Sequence, residues 1–299
     1  MVLYQKMNRK MFVIILNWNN KKLTSKCLHS VFRTIGAHPF IEVIVVDNAS
    51  KDGSISYLKK IYKKVIFIQN KDNLGYAGGN NVGIRYAMKH DADIVALLNN
   101  DVVVTPGFFK ELLDVITMNP KIGIVGPKTY YQNKNKIIED AGGKLSHRYF
   151  GINRGQSEKD TGKYNKISKV DYVSGSAMAI DTAVIKKIGL LDERFFLYYE
   201  DGDFCLRARK AGYKCVYVPN AVQYHIGGAS TKMGSSLHEY YNVRNHLLFI
   251  EKNAPLKVRL REIFRLPKTV FEFVRANKKY ALLGLRDYYL RRFGKRMYW

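Results

Sequence analysis

Four apolar runs in the first hundred residues each stop at a cluster of Asn and Asp: MFVIILNW (11–18), IEVIVVDN (41–48), VIFIQN (65–70) and DIVALLNND (93–101). The runs are rich in Val and Ile and do not alternate with polar residues, so each suits a strand buried on both faces. Between the first two, Leu23, Cys27, Leu28, Val31 and Phe32 recur at helical spacing, and NNVGIRYAMKH (80–90) also reads as a helix. Buried strands alternating with helices imply an α/β fold whose mainly parallel sheet is covered on both sides. Such sheets bind ligands beyond the carboxyl ends of their strands. The polar ends are Asn17 and Asn19; Asp47 and Asn48; Asn70, Asp72 and Asn73; and Asn99, Asn100 and Asp101. Turn-making accounts for Asn and Asp after any one strand, but four such clusters on one sheet edge point to a binding site.

Further along, Thr105 can cap and Pro106 can open a helix over 107–118. Residues 121–170, with many Gly, Asn, Lys and Tyr, read as short strands and loops. Then follow VDYVSGSAMAID (170–181), a short helix near 182–188, a helix over 202–211 ending at Gly212, the strand KCVYVP (214–219) and a helix over 235–250. Residues 1–250 are expected to form the main domain, and 251–299 a helical basic extension.

That extension shifts in composition. From Lys252 to Trp299, 14 Lys and Arg stand against Glu262, Glu272 and Asp287, a local net charge of +11. Phe264, Leu266, Val270, Phe271, Phe273, Val274, Tyr288, Tyr289, Leu290 and Phe293 are interleaved with them. Basic and aromatic residues mixed at near-helical spacing suit an anionic membrane surface, although a solvated helical appendage has the same composition. The whole chain carries +25, which predicts attraction to polyanions: nucleic acid, anionic lipid or phosphorylated substrates. No nucleic-acid-binding motif is present and the basic aromatics concentrate in the tail, so no nucleic acid is expected as partner.

Cys27, Cys205 and Cys215 form neither a CxxC pair nor a metal-ligand spacing, which fits a reducing compartment. No apolar run approaches the roughly 18 residues of a membrane span, and the apolar stretch near the N-terminus is too short for a signal peptide. The expected location is cytoplasmic, peripheral on the inner face of the cell membrane.

Two clusters carry chemistry. A cation such as Mg²⁺ or Mn²⁺ takes one or two carboxylates together with phosphate oxygens and water, so Asp101 at the ligand-binding edge can hold a metal-diphosphate. Asn99 and Asn100 can hydrogen-bond a sugar or ribose without adding charge. In FLYYEDGDFCLRARKAG, Glu200, Asp201 and Asp203 fall at the start of a helix, where the macrodipole favours negative charge. The apolar residues before them form a wall from which one carboxylate can emerge as a general base.

The ordered set VIILNWNN, VVDNAS, NKDNLGYAGGNNVGI, LLNNDVVV, VSGSAMAID, LDERFFLYYEDGDFCLRARKAGY, YHIGGAS and YYNVRN resembles the inverting glycosyltransferases of family 2, within them the rhamnosyltransferase-like branch. The resemblance runs from about Phe12 to about Asn245. It implies a GT-A (Rossmann-like) nucleotide-sugar transferase domain with a mixed, mainly parallel central sheet. Asn99, Asn100 and Asp101 take the place of the metal-diphosphate motif, often Asp-x-Asp, with Asp101 the metal ligand. Two neutral amides there leave little charge for the cation, and His225 matches the histidine that completes the metal site. Asp47 matches the nucleoside contact, with Asn48 beside it on the donor side, and Asn17 lies where the first strand touches the base. Gly75, Gly79 and Asn80 of GYAGGNN resemble a loop that lets backbone approach the donor. Asp201 matches the catalytic base, Glu200 and Asp203 supporting residues on the acceptor side, and Arg244 a residue holding the diphosphate.

The implied activity is transfer of a hexosyl group, rhamnose from dTDP-rhamnose, to a hydroxyl of a glycan or polyprenyl-diphosphate-linked acceptor in cell-surface polysaccharide synthesis, with Mg²⁺ or Mn²⁺. A UDP-hexose donor, a donor-binding subunit without activity and a nucleic-acid-binding protein are the alternatives. The intact Glu200-Asp201 pair and His225 speak against the second.

Overall fold

The computed structural model describes residues 9–36, 39–226 and 234–296. Residues 227–230 of YHIGGAS and the last three residues of the tail lie outside the described residues. The first half alternates as its sequence predicts: β1 (Met11–Asn17), α1 (Lys21–Ile35), β2 (Ile41–Asp47), α2 (Ser54–Ile61), β3 (Ile66–Gln69), α3 (Gly75–Lys89) and β4 (Ile94–Asn99). β1 pairs in parallel with β2 and β4, and β2 in parallel with β3. The register sets Asn17 beside Asp47 and Leu16 beside Asn99, so the polar strand ends share one edge.

Side chains alternate across the sheet. Met11, Val13 and Ile15 face α1 and α4 (Phe108–Met118), packing on Cys27, Leu28, Val31, Phe108 and Leu112. Phe12 and Ile14 face the other layer, made by Ala77, Ile84 and Ala87 of α3 and Phe204, Cys205 and Ala208 of α6 (Glu200–Lys210). All three cysteines are buried and free.

The second half makes the sheet mixed. β11 (Ala177–Asp181) lies antiparallel between β4 and β6 (Ile122–Tyr131), and β12 (Lys214–His225) runs parallel to β6. β5 (Val102–Val104) and β10 (Ser168–Val170) pair antiparallel with β12, and β7 (Ile138–Asp140) with β6. β8 (Gly143–Leu145) and β9 (Gly151–Asn153) form a separate hairpin.

Four local expectations are corrected. The stretch 121–170 contains β6, ten residues long and almost wholly buried. Its Gly123 and Gly126 look like loop punctuation but admit neighbours: an added Cβ would meet Val184 at 2.5 Å and Val173 at 2.1 Å. KCVYVP is only the first half of β12, which passes a register shift between Val218 and Val222 and ends at His225. Thr105 does not cap the helix after it; its hydroxyl donates to the Val222 carbonyl, and Gly107, at φ 82°, takes the cap position. The helix expected from residue 80 begins at Gly75, so the glycine-rich stretch forms its first turns rather than a loop.

At the C-terminus, α7 (Ser236–Asn253) is capped by the Ser235 side chain. It is followed by α8 (Leu256–Arg275), which has no buried residue, and α9 (Lys279–Tyr289). α9 joins the main body: Gly284 sits where a Cβ would come within 2.5 Å of the Tyr240 carbonyl oxygen.

Candidate active site

The strand ends are held by a buried polar network. Asn17 and Asp47 have no exposed surface. Asn17 Nδ2 donates to Asp47 Oδ1 at 2.7 Å, and its Oδ1 accepts from the Thr24 hydroxyl at 2.6 Å. The Ser50 amide donates to the other Asp47 oxygen at 2.9 Å, and Asn100 donates to Thr24 at 2.9 Å. These groups satisfy one another, as buried polar groups must. Asn17, Asp47 and Asn100 therefore frame the edge, and the side chains exposed at the end of β1 are those of Trp18 and Asn19.

A second network joins β2 to α3. Asn48 donates to the Gly75 carbonyl at 2.9 Å and accepts from Asn70 at 2.8 Å. An added Cβ on Gly79 would meet Leu16 at 2.4 Å and the Asn48 amide at 2.8 Å, and one on Gly75 would meet the Phe196 carbonyl oxygen at 2.4 Å. Both glycines permit close packing within the protein, and the Asn80 amide returns to the Tyr76 carbonyl at 3.0 Å.

At the next strand end, β12 delivers His225 beside Asp101. The Ile226 amide donates to the Asp101 carbonyl at 2.9 Å, and His225 Nε2 stands 3.3 Å from Asp101 Oδ1. That oxygen is buried and makes no well-formed hydrogen bond. On the other side of the ring, Nδ1 contacts both Glu139 oxygens at 2.9 Å. Burial by itself would lower the His225 pKa, but the Asp101 and Glu139 carboxylates against its two ring nitrogens outweigh it and push the ring up to about 10. Glu139 lies in the stretch read as short strands and loops; only its place on β7 brings it to His225.

A divalent cation fits this pair. Asp101 Oδ1 and His225 Nε2 face each other at 3.3 Å, a spacing that two neighbouring ligands of one ion can span once the ring gives up its Nε2 proton. No group of three or more His, Cys, Asp or Glu that could hold a metal exists among the described residues. Protein would thus supply two ligands, and phosphate oxygens and water the remainder, as is usual for Mg²⁺.

Asp201 stands in the first turn of α6. Its Oδ2 accepts from the Gly175 amide at 2.8 Å and its Oδ1 from the Gly202 amide at 2.7 Å. Burial raises its pKa above the ordinary carboxylate value, with those amides partly offsetting the effect. The residue after Gly175 accepts, through its carbonyl, from the Asn99 amide at 2.9 Å, so one turn, Ser174 to Ser176, joins the Asp201 carboxylate to the Asn99–Asp101 edge. Tyr76 closes this turn by donating to the Gly175 carbonyl. Glu200 is buried beside Asp201 with Oε2 unpartnered, and burial first, then Asp201, pushes it well above its usual range.

Two expected site residues are engaged inside the protein instead. Asp203 has no exposed surface and bonds Arg207 at 2.8 Å, Lys252 at 2.8 Å and Asn253 at 2.9 Å, fastening α6 to α7. Arg244 is 1% exposed, and its guanidinium donates to the carbonyls of Arg194, Phe195 and Gly294 and to Asn245 Oδ1. Physically, a guanidinium with five donors in a fixed fork satisfies a cluster of carbonyls better than any other side chain.

The Arg194 and Phe195 carbonyls belong to the loop that presents Asp201. Phe196, Tyr198 and Tyr199 adopt left-handed φ values of 64°, 70° and 74°, each costing of order 1–3 kcal/mol and persisting only because the surroundings impose it. Asn245 imposes it by donating to the carbonyls of Phe195, Leu197 and Tyr198 at 2.8, 2.7 and 3.0 Å. Asn245→Ala should deprive the Leu197 and Tyr198 carbonyls of this donor at about 1–3 kcal/mol each, while Arg244 still serves Phe195. The expected result is a lower melting temperature together with a fall in kcat exceeding any change in donor binding.

Asp140, at the end of β7, is buried with Oδ1 unpartnered, and burial pushes its pKa up to about 7. The folded chain therefore holds a proton that the unfolded chain releases near its ordinary value of 3.8. Stability from this group is complete at low pH and is lost as pH rises from that value through about 7. Asp140→Asn should remove this dependence. Melting temperatures of both chains across the window should diverge as pH rises, and parallel curves would refute the assignment.

The profile described as Glycosyltransferase like family 2 matches residues 9–245. A hexosyltransferase of low-salt glycan biosynthesis from Haloferax volcanii is 29% identical over 242 residues, covering 79% of this chain and 74% of the relative. A dTDP-rhamnosyl transferase from Shigella flexneri is 28% identical over 272 residues, covering 86% of each. An N-acetylglucosaminyl-diphospho-decaprenol L-rhamnosyltransferase from Mycobacterium tuberculosis is 27% identical over 254 residues, 74% of this chain and 80% of the relative. Among solved structures, GalNAc-T7 with UDP, GalNAc and Mn²⁺ superposes with a TM-score of 0.64 at 18% identity, over 81% of this chain and 48% of that one, about half its length. At that identity the likeness establishes the fold, the GT-A architecture.

Proposed function

The chain belongs to glycosyltransferase family 2, and from this we propose that it is an inverting, metal-dependent transferase that moves rhamnose from dTDP-rhamnose to a hydroxyl of a glycan or polyprenyl-diphosphate-linked acceptor. The observation that carries the reading is a pair of unlike carboxylates joined through the Ser174–Ser176 turn: Asp101 facing His225 at the sheet edge, and Asp201 held by two backbone amides at the start of α6. The first suits a diphosphate with its cation, the second a proton acceptor. Support for the donor comes from the Shigella relative's name, and for the lipid-linked acceptor from the mycobacterial one.

In the proposed reaction Asp201 accepts the proton of the acceptor hydroxyl. The oxygen so freed bonds to the anomeric carbon from the face opposite the leaving group, and the bond to the nucleoside diphosphate breaks. Asp101 and His225 would hold a Mg²⁺ or Mn²⁺ ion, which when bound neutralises charge on the departing diphosphate, an effect worth several kcal/mol. Asn99 lies beside them as a neutral hydrogen-bonding group for the sugar. Glu200 supports the acceptor side by keeping a buried, apolar-walled setting next to Asp201. Asn17, Asp47, Asn48, Gly75, Gly79, Asn80 and Asn100 act by shaping the donor edge, and Arg244 by holding the loop before Asp201.

Residues 1–250 would form the catalytic domain and 251–299 a basic extension. No helix among the described residues is long and apolar enough to cross a membrane. Peripheral attachment to the cytoplasmic face of the membrane is the proposed location, supported by the charge of residues 252–299.

The test offers dTDP-rhamnose and UDP-hexoses with Mg²⁺ or Mn²⁺ and reads nucleoside diphosphate release and thermal shift. Release from dTDP-rhamnose alone is expected. Release only from a UDP-hexose would replace the donor, and a chain that shifts with nucleotide but never releases it would be a binding subunit.

A further inference from the structure

We propose that α8 is a docking helix that lies flat on an anionic phospholipid bilayer, with its outer apolar stripe entering the lipid and its basic borders meeting the headgroups. This deepens the peripheral-membrane reading above, on which it rests, by assigning the surface and its orientation.

The stripe is contiguous. Leu256, Leu260, Ile263, Phe264, Pro267, Phe271 and Val274 are all exposed, and at 100° per residue they fall within an arc of about 100°. Phe264 is 80% exposed, Leu256 68% and Phe271 64%. Soluble surfaces scatter single apolar residues, but a run along a helix of 20 residues marks an interaction face. Over that length the stripe is roughly 30 Å long.

The opposite face of α8 is already occupied, which settles the helix's rotation. Glu262 receives both Nε and Nη2 of Arg148, at 3.1 and 2.9 Å, and Val258, Leu266 and Phe273 are half-buried. The stripe is therefore turned outward by tertiary contacts and is not a core face awaiting the rest of the fold.

Charge selects the occupant. Lys257 and Arg275 border the stripe on one side at the same helical angle, with Lys268 close by, and Arg259 borders it on the other. A protein partner would need a complementary acidic rim around an apolar groove. An anionic bilayer offers both, an acyl interior under a negative surface, and a helix with this division of faces binds it by apolar burial plus electrostatic attraction.

The same contacts tie the lipid face to the reaction. Arg148 lies in the turn between β8 and β9, where Phe150 stacks on His246 with ring centroids 3.8 Å apart. The Tyr199 ring lies 5.6 Å from His246, and Tyr199 directly precedes Glu200 and Asp201. Docking α8 would bring the loop carrying Asp201 close to the headgroups, where a lipid-linked acceptor presents its sugar.

The experiment is co-sedimentation of the full chain with phosphatidylcholine vesicles, with and without phosphatidylglycerol. Binding to the anionic vesicles, weakened by salt, is expected, and Phe264→Ser with Phe271→Ser should reduce it about tenfold or more. Both positions are exposed, so the fold should survive, as circular dichroism would verify. A Phe264→Trp chain should in addition show a blue-shifted emission on anionic vesicles relative to the parent. Unchanged binding by the double variant, no binding by the parent, or no blue shift would overturn the proposal. Loss of a concentration-dependent dimer in the double variant, without loss of vesicle binding, would also overturn it and assign the stripe to a second copy. Vesicle binding with no nucleoside diphosphate release from any sugar donor would instead sink the transferase reading and leave the docking helix standing.

Discussion

Asp201→Asn is expected to lower kcat by about 10²- to 10⁴-fold, the contribution of one positioned base, while donor affinity stays near that of the parent chain. The substitution keeps shape and removes the proton acceptor. It also turns one carboxylate oxygen into an amide donor opposite the Gly175 or Gly202 N–H, so a thermal melt must accompany the kinetics. Because burial raises the Asp201 pKa, the parent's kcat/KM should fall as pH drops through a value above the ordinary carboxylate range. The variant should lose that acidic limb. A variant that retains near-parent kcat, or the same acidic limb, would remove Asp201 from the role of base.

Asp101→Asn should be nearly as damaging but for another reason. The Asn99–Asp101 edge carries a single charge, and without it His225 alone remains to face the cation. Losing a contribution of several kcal/mol to the leaving group corresponds to roughly 10²- to 10³-fold in kcat/KM. The diagnostic readout is binding: titration of dTDP should be strengthened by Mn²⁺ in the parent and show little response to it in the variant. An unaltered Mn²⁺ response would place the cation elsewhere. Asn100→Ala is the matched control. Its amide bonds Thr24 within the frame, so it should lower stability more than it alters the Mn²⁺ response.

The difference between those neighbours shows how far local pattern reaches. Apolar runs ending in Asn and Asp place four strands and their shared edge, because strand burial and the parallel register are decided by which residues can face helices on both sides. The same pattern does not say which polar side chains remain open to a ligand. Asn17 and Asp47 are paired to each other, while Asp101 Oδ1 is left with only a 3.3 Å contact to His225 and no hydrogen bond. Three amides and acids that look alike in sequence are separated by the geometry of their neighbours.

Arg244 and Asp203 carry the same lesson. A basic residue near the end of a family-like stretch suggests a diphosphate, and an acid beside Asp201 suggests an acceptor. Both are spent on backbone carbonyls and ion pairs that hold α6, α7 and the loop between 194 and 199. The left-handed Phe196, Tyr198 and Tyr199 leave no trace in sequence, since aromatic residues seldom adopt such angles and contacts from distant Asn245 and Arg244 help hold them there.

By itself the sequence determined the α/β alternation and the position of the acid pair at a helix start, which follow from residues close together in the chain, and the family, which follows from the order of its motifs. Tertiary structure alone decided that Glu139 orients His225 from 86 positions away, that Gly75 and Gly79 serve packing, and that α8 turns its apolar stripe outward. These depend on contacts between distant segments, whose free energy no local spacing encodes.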